Sequence, residues 1–140
     1  METSFKASQL NGGVCYKVLT VTHADLTDDD TSQAITLFTL GAGSKILGVE
    51  VKHSVAFAGG TINAMTVSVG NSSSATAYTN AYDIYQAVLD TNLQETPLFK
   101  AGTAAAVDVL ATFTSTAGNL VAATAGSVDI KVLYLNVTTP

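Results

Sequence analysis

A stretch of alternating apolar and polar residues, 45–70, is the feature that most constrains how this chain folds. One side of its first half is mostly apolar, with Leu47, Val49, Val51, Val55 and Phe57. In its second half apolar residues again occupy every other position, with Met65, Val67 and Val69. This period of two is typical of a β-strand with one buried and one solvent-facing side. Because Gly59 and Gly60 separate the halves, the stretch predicts an antiparallel β-hairpin.

Further strands are predicted where short apolar or alternating runs end in turn residues, at 14–22, 34–40, 106–116, 120–124 and 127–137. The last run is apolar on both faces through Leu133 and Leu135, which predicts a strand at the centre of a sheet or against a neighbouring subunit. The glycine turn at 41–44 predicts antiparallel neighbours, because a parallel pair needs a long crossover. Many short strands without a βαβ rhythm predict an all-β fold, an antiparallel two-sheet β-sandwich that is jelly-roll-like.

The segment 76–92 departs from this alternation. Tyrosines and a leucine recur there at spacings of four, three and four residues: Tyr78, Tyr82, Tyr85 and Leu89. That spacing is helical, and Thr79 or Asn80 would serve as an N-cap. The segment therefore predicts either one short helix or a long ordered loop over one end of the sheets. Its tyrosines either cap the sandwich core or stack on sugars or a partner protein.

Length and polarity predict a simple domain organisation. A chain of 140 residues suits one domain. The polar residues 1–13 end in Asn11, Gly12 and Gly13, and they predict an N-terminal arm before a single β-sandwich domain at 14–140. No apolar run reaches the roughly 18 residues of a membrane span, and the arm lacks the apolar core of a secretion signal. We therefore expect no membrane partner and no export.

The charge pattern argues against nucleic acid and in favour of assembly. The net charge is −5, and all six basic residues are lysines, scattered along the chain. Nucleic-acid binding normally requires a clustered basic face, so no nucleic-acid partner is expected. Only 12% of residues are charged and the mean hydropathy is +0.34. These values are typical of a subunit that covers part of its surface with other subunits.

The most site-like feature is a cluster of four aspartates in the loop 23–33: Asp25, Asp28, Asp29 and Asp30. Carboxylates on one loop are ligands that calcium prefers. The cluster lacks the glycine and the later glutamate of an EF-hand, so we interpret it as a solvated acidic loop. Whether it binds an ion is left open.

The remaining polar candidates favour structural roles. His53 follows the apolar face of its strand, which predicts a hydrogen-bonded core or interface residue. His23 and Asp25 resemble part of a catalytic triad, but the chain has no G-x-S-x-G motif and no phosphate-binding glycine loop. Cys15 is the single cysteine, lies within a predicted strand and is expected to be a small buried hydrophobic residue. We predict no catalytic, cofactor-binding or metal-binding residues, no cofactor, and no enzymatic activity.

Several segments resemble small structural proteins encoded in tailed-bacteriophage virion gene clusters. They are ADLTDDDTSQAITLFTLGAGSKILGVEVKHSVAFAGG (24–60), TVSVGNSS (66–73), AYDIYQAV (81–88) with DTNLQE (90–95), and TAGSVDIKVLYL (124–135). These segments consist of packing and turn residues. The resemblance implies a virion component, with a capsid decoration (cement) protein as the leading expectation.

For such a protein the resemblance implies two partners, the major capsid protein and further copies of the chain, as a homotrimer or another small homo-oligomer. It also implies a location on the capsid surface of the virion, after assembly in the host bacterial cytoplasm. Two alternatives remain from the residues. One is a glycan- or calcium-binding β-sandwich module of a tail or fibre, and the other is a head–tail or tail component.

Overall fold

Nine β-strands and two single-turn 3₁₀ helices make up the part of the chain that the computed structural model describes, which is residues 2–6, 14–85, 91–95 and 105–135. The strands are β1 (Glu2–Lys6), β2 (Val14–Thr22), β3 (Ser32–Leu40), β4 (Lys45–Ala58), β5 (Ala64–Gly70), β6 (Tyr82–Asp83), β7 (Thr91–Glu95), β8 (Val107–Thr116) and β9 (Ala125–Leu135). The 3₁₀ helices are His23–Asp25 and Leu120–Ala122. No helix among these residues has the length and hydrophobicity that a bilayer span requires.

The strands form two antiparallel sheets. The first sheet has the order β1-β2-β9-β4-β7 and the second sheet has the order β3-β8-β5-β6. The strands pair symmetrically about the connection between β5 and β6. β5 pairs with β6, β4 with β7, β3 with β8, and β2 with β9. A long hairpin rolled up in this way is a jelly roll. The predicted all-β, two-sheet, jelly-roll-like fold is therefore confirmed.

The predicted hairpin over 45–70 is wrong in its pairing. Both strands exist, but β4 lies in the first sheet beside β9 and β7, whereas β5 lies in the second sheet beside β8 and β6. Gly59 (φ 148°) and Gly60 (φ 54°) carry the chain from one sheet to the other. The turn at 41–44 likewise joins β3 of the second sheet to β4 of the first. The alternation of β4 and β5 reflects buried faces that oppose each other across the core.

The core lies between the inner faces of the two sheets, and aromatic pairs bridge it. Phe57 of β4 and Phe113 of β8 have ring centroids 6.1 Å apart, and both side chains are fully buried. β9 runs between β2 and β4, as its apolar second half predicted. Val55 departs from the predicted pattern with 49% exposure, because register irregularities on both sides of it turn it outward.

The predicted strand at 120–124 is also wrong, since Leu120–Ala122 is a 3₁₀ turn. Leu120 is fully buried, and its N–H donates to the carbonyl oxygen of Asp30 at 2.8 Å. The N–H of Val121 donates to the carbonyl oxygen of Asp28 at 3.1 Å. The apolar residues of this short run therefore anchor the acidic loop to the sandwich instead of extending a sheet.

Of the two alternatives for 76–92, the described residues 76–85 have the ordered loop and not the helix. Thr79 does not cap a helix; its Oγ1 accepts a hydrogen bond from the N–H of Val69 at 2.9 Å and so closes the end of β5. Tyr82–Asp83 then pairs with β5. Residues 86–90 lie outside the described part of the chain, and Thr91–Glu95 is strand β7.

The predicted N-terminal arm falls partly on described residues. The backbone of Glu2–Lys6 forms β1 at the edge of the first sheet, antiparallel to β2. Residues 1 and 7–13 lie outside the described part of the chain. The division into an arm at 1–13 and a domain at 14–140 stays a prediction.

Candidate assembly surface

The histidine predicted to lie in the core does so. His53 is fully buried, and its Nδ1 lies 2.9 Å from the hydroxyl oxygen of Tyr82 on β6. The two rings meet edge to face with centroids 5.5 Å apart. The Nε2 atom of His53 has no hydrogen-bond partner among the described residues. The pair joins the two sheets through the core, so the hydrogen-bonded structural role is confirmed.

Removing the Tyr82 hydroxyl tests this role. We expect Tyr82→Phe to lower the free energy of unfolding by about 1–2 kcal/mol, because it leaves a buried ring nitrogen without a partner. Urea unfolding followed by circular dichroism measures the change. Tyr85→Phe is the matched control, since it removes a tyrosine hydroxyl from a half-buried residue that packs against the same core. Equal stability of the two variants would contradict the structural role.

The acidic cluster does not gather into a metal site. Its members lie exposed in the loop before β3: Asp25, Asp28, Asp29 and Asp30. The Asp25 carboxylate accepts a hydrogen bond from the N–H of Thr22 at 2.9 Å, and the Asp29 carboxylate accepts one from the Asn119 side chain at 2.8 Å. In the described ranges no group of three or more His, Cys, Asp or Glu side chains is placed to hold a metal ion. The carboxylates described here tie the loop to its neighbours.

Sequence reasoning missed the residue that organises this loop, Gln33. Its Oε1 accepts hydrogen bonds from the N–H groups of Thr27 and Asp28 at 3.0 and 3.1 Å. Its Nε2 donates to the carbonyl oxygen of Asp25 at 3.1 Å. The single available signal was an amide side chain at the junction of a polar loop and a strand, which is too common to predict these contacts.

The other candidates do not form a reactive pair. His23 is half-buried, and its Nδ1 has no hydrogen-bond partner among the residues that the structure describes. Asp25 uses its carboxylate on Thr22. Cys15 is 2% exposed, which agrees with the predicted buried hydrophobic role.

The tyrosines of the 76–85 loop close one end of the core. Tyr82 is buried, and Tyr78 and Tyr85 are half-buried and pack against the core cluster. The hydroxyl of Tyr78 lies 3.3 Å from the Asn71 side chain. The core-capping alternative therefore describes these side chains, and the buried Tyr82 ring has no free face for a sugar.

The outer face of the first sheet carries a different kind of surface. The start of β2 lies beside the end of β9, and the side chains that point away from the core there are apolar. We call this group the apolar patch: Val14, Tyr16, Val18, Leu133 and Leu135. Val14 and Leu133 are each 39% exposed, and the other three are half-buried. The patch is contiguous because Val14 pairs with Leu135 and Tyr16 with Leu133.

Next to the apolar patch, the same outer face carries charged residues of alternating sign on β9 and β4. Lys131 of β9 is the register partner of Glu50 on β4, and Asp129 is the partner of Lys52. The Lys131 ammonium lies 5.6 Å from the centroid of the Tyr16 ring, a cation–π distance. Opposite charges in neighbouring strands stabilise their pairing modestly. The face thus combines an apolar end with a balanced charged end.

The outer face of the second sheet is small and polar by comparison. Its outward residues on the central strands are mostly threonines: Thr66, Thr112, Thr114 and Thr116. Asp108 lies at one end of β8, where its carboxylate accepts a hydrogen bond from the Thr39 hydroxyl at 2.7 Å. The two outer faces therefore differ in what they can bind. The first offers apolar contact and paired charges, which suit another protein surface.

The solved structures that are similar to this chain include chains of two phage capsids. A chain of the cyanophage Pam1 capsid asymmetric unit is 26% identical, with a TM-score of 0.64 over 93% of this chain and 89% of that chain. A chain of the acid-stable capsid of Helicobacter pylori bacteriophage KHP30 is 12% identical, with a TM-score of 0.50 over 99% of this chain and 95% of that chain. No protein-family model matches the sequence, and no curated protein matches it. The resemblance to phage virion structural proteins that the sequence suggested is confirmed in the fold, which this chain shares with chains of two phage capsids.

Proposed function

We propose that this chain is a structural protein of a phage virion, and that it acts as a capsid decoration (cement) protein. In this role it binds the outer surface of the shell of major capsid proteins and stabilises it. The observation that carries the proposal is the likeness to a chain of the Pam1 capsid, which spans nearly the whole of both chains. A likeness over 93% of this chain and 89% of that chain supports a structural role in a phage capsid.

The physical properties of the sandwich support this role. Two sheets joined by buried aromatic side chains form a preorganised surface, so little conformational entropy is lost when the surface docks. Modest contacts repeated around a shell add up through multivalency. The side chains described above offer surfaces for binding and no paired nucleophile and base, which favours a non-enzymatic protein. Its partners are then the major capsid protein and further copies of itself, as a homotrimer or another small oligomer.

The location follows from the same proposal. A decoration protein resides on the capsid surface of the virion and is added in the host bacterial cytoplasm.

Binding to purified capsids tests the proposal. We expect the chain to sediment with undecorated capsids, to saturate at a fixed number of copies per shell subunit, and to raise the melting temperature of the shell. A ligand present at about 100 times its Kd stabilises its target by about 2.7 kcal/mol per site, which calorimetry resolves. Competition by unlabelled chain is the control for non-specific pelleting. A chain that stays in the supernatant and leaves shell melting unchanged would contradict the role.

A further inference from the structure

We propose that the outer face of the first sheet is the surface through which copies of this chain bind one another, with the apolar patch as the apolar part of the contact. The partner of the apolar patch is then a second copy of the same chain. This inference rests on the proposed function in one respect, namely that the chain works as several copies. Three features of the described residues lead to it.

The first feature is the uneven distribution of exposed apolar side chains. In the described part of the chain the large hydrophobic residues with the greatest exposure are Val14, Val55, Val121 and Leu133. Two of them, Val14 and Leu133, lie together in the apolar patch with three half-buried neighbours, whereas Val121 lies on the 3₁₀ turn. A contiguous apolar group on a sheet face is typical of an interaction surface, while single exposed residues are ordinary.

The second feature is charge, and it selects a second copy as the occupant. The chain has a net charge of −5, so two copies repel each other on average. Most described acidic side chains lie outside the strands of the first sheet, at Asp25, Asp28, Asp29, Asp30, Asp83 and Asp108. Among the described side chains of β2, β4 and β9, the outer face of the first sheet instead carries two acids and three lysines, at Glu50, Asp129, Lys45, Lys52 and Lys131. Copies that meet through this face avoid the acidic surfaces and can match opposite charges across the contact.

The third feature is area. The first sheet has five strands, whereas the second has four. Five strands about 4.8 Å apart and four rows of outward residues about 6.8 Å apart cover roughly 650 Å². A standard protein–protein interface buries about 800 Å² on each partner. One sheet face is therefore large enough to supply most of a stable contact between copies.

A lysine placed in the apolar patch tests the inference. Leu133 points away from the core, so Leu133→Lys leaves the packing between the sheets intact while it inserts a charge into the apolar patch. We expect the wild-type chain to elute as an oligomer in size-exclusion chromatography with light scattering, and Leu133→Lys to weaken self-association by at least about tenfold. Val14→Lys, at the edge of the patch, is the second variant and should act in the same direction.

Val121→Lys is the matched control, because it makes the same kind of change at an exposed residue outside the apolar patch, on the 3₁₀ turn that precedes β9. We expect it to leave the oligomer unchanged, and circular dichroism should show the wild-type β-sheet spectrum for every variant. A monomeric wild-type chain, or Leu133→Lys and Val14→Lys proteins that remain oligomeric, would overturn the inference.

The same variants separate this inference from the proposed function. A wild-type monomer that still binds capsids would refute self-association through the patch and leave the decoration role standing. Loss of capsid binding in Leu133→Lys, with a monomeric wild type, would assign the patch to the shell instead of to a second copy. A patch-dependent oligomer that ignores capsids would support the inference and refute the decoration role.

Discussion

Replacing Phe113 with alanine is expected to lower the free energy of unfolding by about 3–5 kcal/mol, the usual cost of removing a fully buried phenylalanine. Phe113 lies on β8, between β3 and β5 at the middle of the second sheet, and is 0% exposed. Its ring contacts the Phe57 ring of the first sheet, so the substitution leaves a cavity between the two sheets. Because single domains are stable by about 5–15 kcal/mol, this variant loses much of its stability.

Urea unfolding at a fixed protein concentration measures this loss, since self-association would otherwise shift the apparent stability. Leu110→Ala is the matched control on the same strand, because Leu110 is half-buried on the outer face. We expect it to cost less than about 1 kcal/mol. A Phe113→Ala protein as stable as Leu110→Ala would show that the rings do not hold the sheets together.

Replacing Gly126 with alanine is expected to cost about 3 kcal/mol, from two separate sources. Gly126 has φ 138°, a conformation that costs a residue with a Cβ roughly 1–2 kcal/mol. An added Cβ would also lie within 2.3 Å of atoms of the Phe57 ring, and overpacking of this kind costs roughly 1–3 kcal/mol. Thermal or urea unfolding of Gly126→Ala measures the total.

A double-mutant cycle separates the two sources. In a Phe57→Ala background the overlap with the ring is gone, so Gly126→Ala should cost only the roughly 1–2 kcal/mol of the backbone conformation. Gly41→Ala is the control glycine, because its Cβ would meet only the Ser44 hydroxyl oxygen at 3.7 Å. The same cost for Gly126→Ala in both backgrounds would mean that the Phe57 ring does not pack on Gly126.

The sequence predicts the buried faces of the strands well, because burial leaves a period of two that can be read locally. Val128, Ile130 and Val132 are buried on β9, and Val109, Ala111 and Phe113 are buried on β8, as their alternation indicated. The same argument placed His53 in the core, and it was correct although the side chain is polar. Alternation shows that a residue faces the core, but it does not show which of the two sheets the residue belongs to.

The hairpin predicted over 45–70 is wrong because alternation does not identify the sheet to which a strand belongs. Alternation does not record which strand lies beside which, and in a jelly roll β4 and β5 face each other across the core. The pairing of β2 with β9 joins residues such as Leu19 and Ile130, which are far apart in sequence. Only the packing of the whole chain decides between a hairpin and such distant partners.

The helical alternative for 76–85 failed for a related reason. Tyr82 is the register partner of Val67 and points into the core. Tyr78 and Tyr85 lie on either side of it in the chain and also pack against the core. A loop that wraps one end of a sandwich therefore places aromatic residues at intervals that mimic a helix. The hydrogen bond from the Val69 N–H to Thr79, which fixes this loop, has no sequence signature.

The candidate assembly surface was partly predictable. The apolar second face of β9, through Leu133 and Leu135, is visible in the sequence and indicates a central strand or a contact with a neighbouring subunit. Val14, Tyr16 and Val18 alternate along 14–22, so their shared apolar side of β2 is also visible in the sequence. Their contact with Leu133 and Leu135 was not predictable, because it depends on the pairing of β2 with β9. The balanced charges of Glu50 and Lys131 likewise become neighbours only through the register of β4 and β9.

A cryo-EM map of the phage particle that contains this chain tests the central claim most directly. The decoration role predicts density for the jelly roll on the outside of the shell, repeated in icosahedral register and spanning contacts between major capsid subunits. Density confined to the tail or the head–tail connection, or a jelly roll that itself forms the continuous shell, would contradict it.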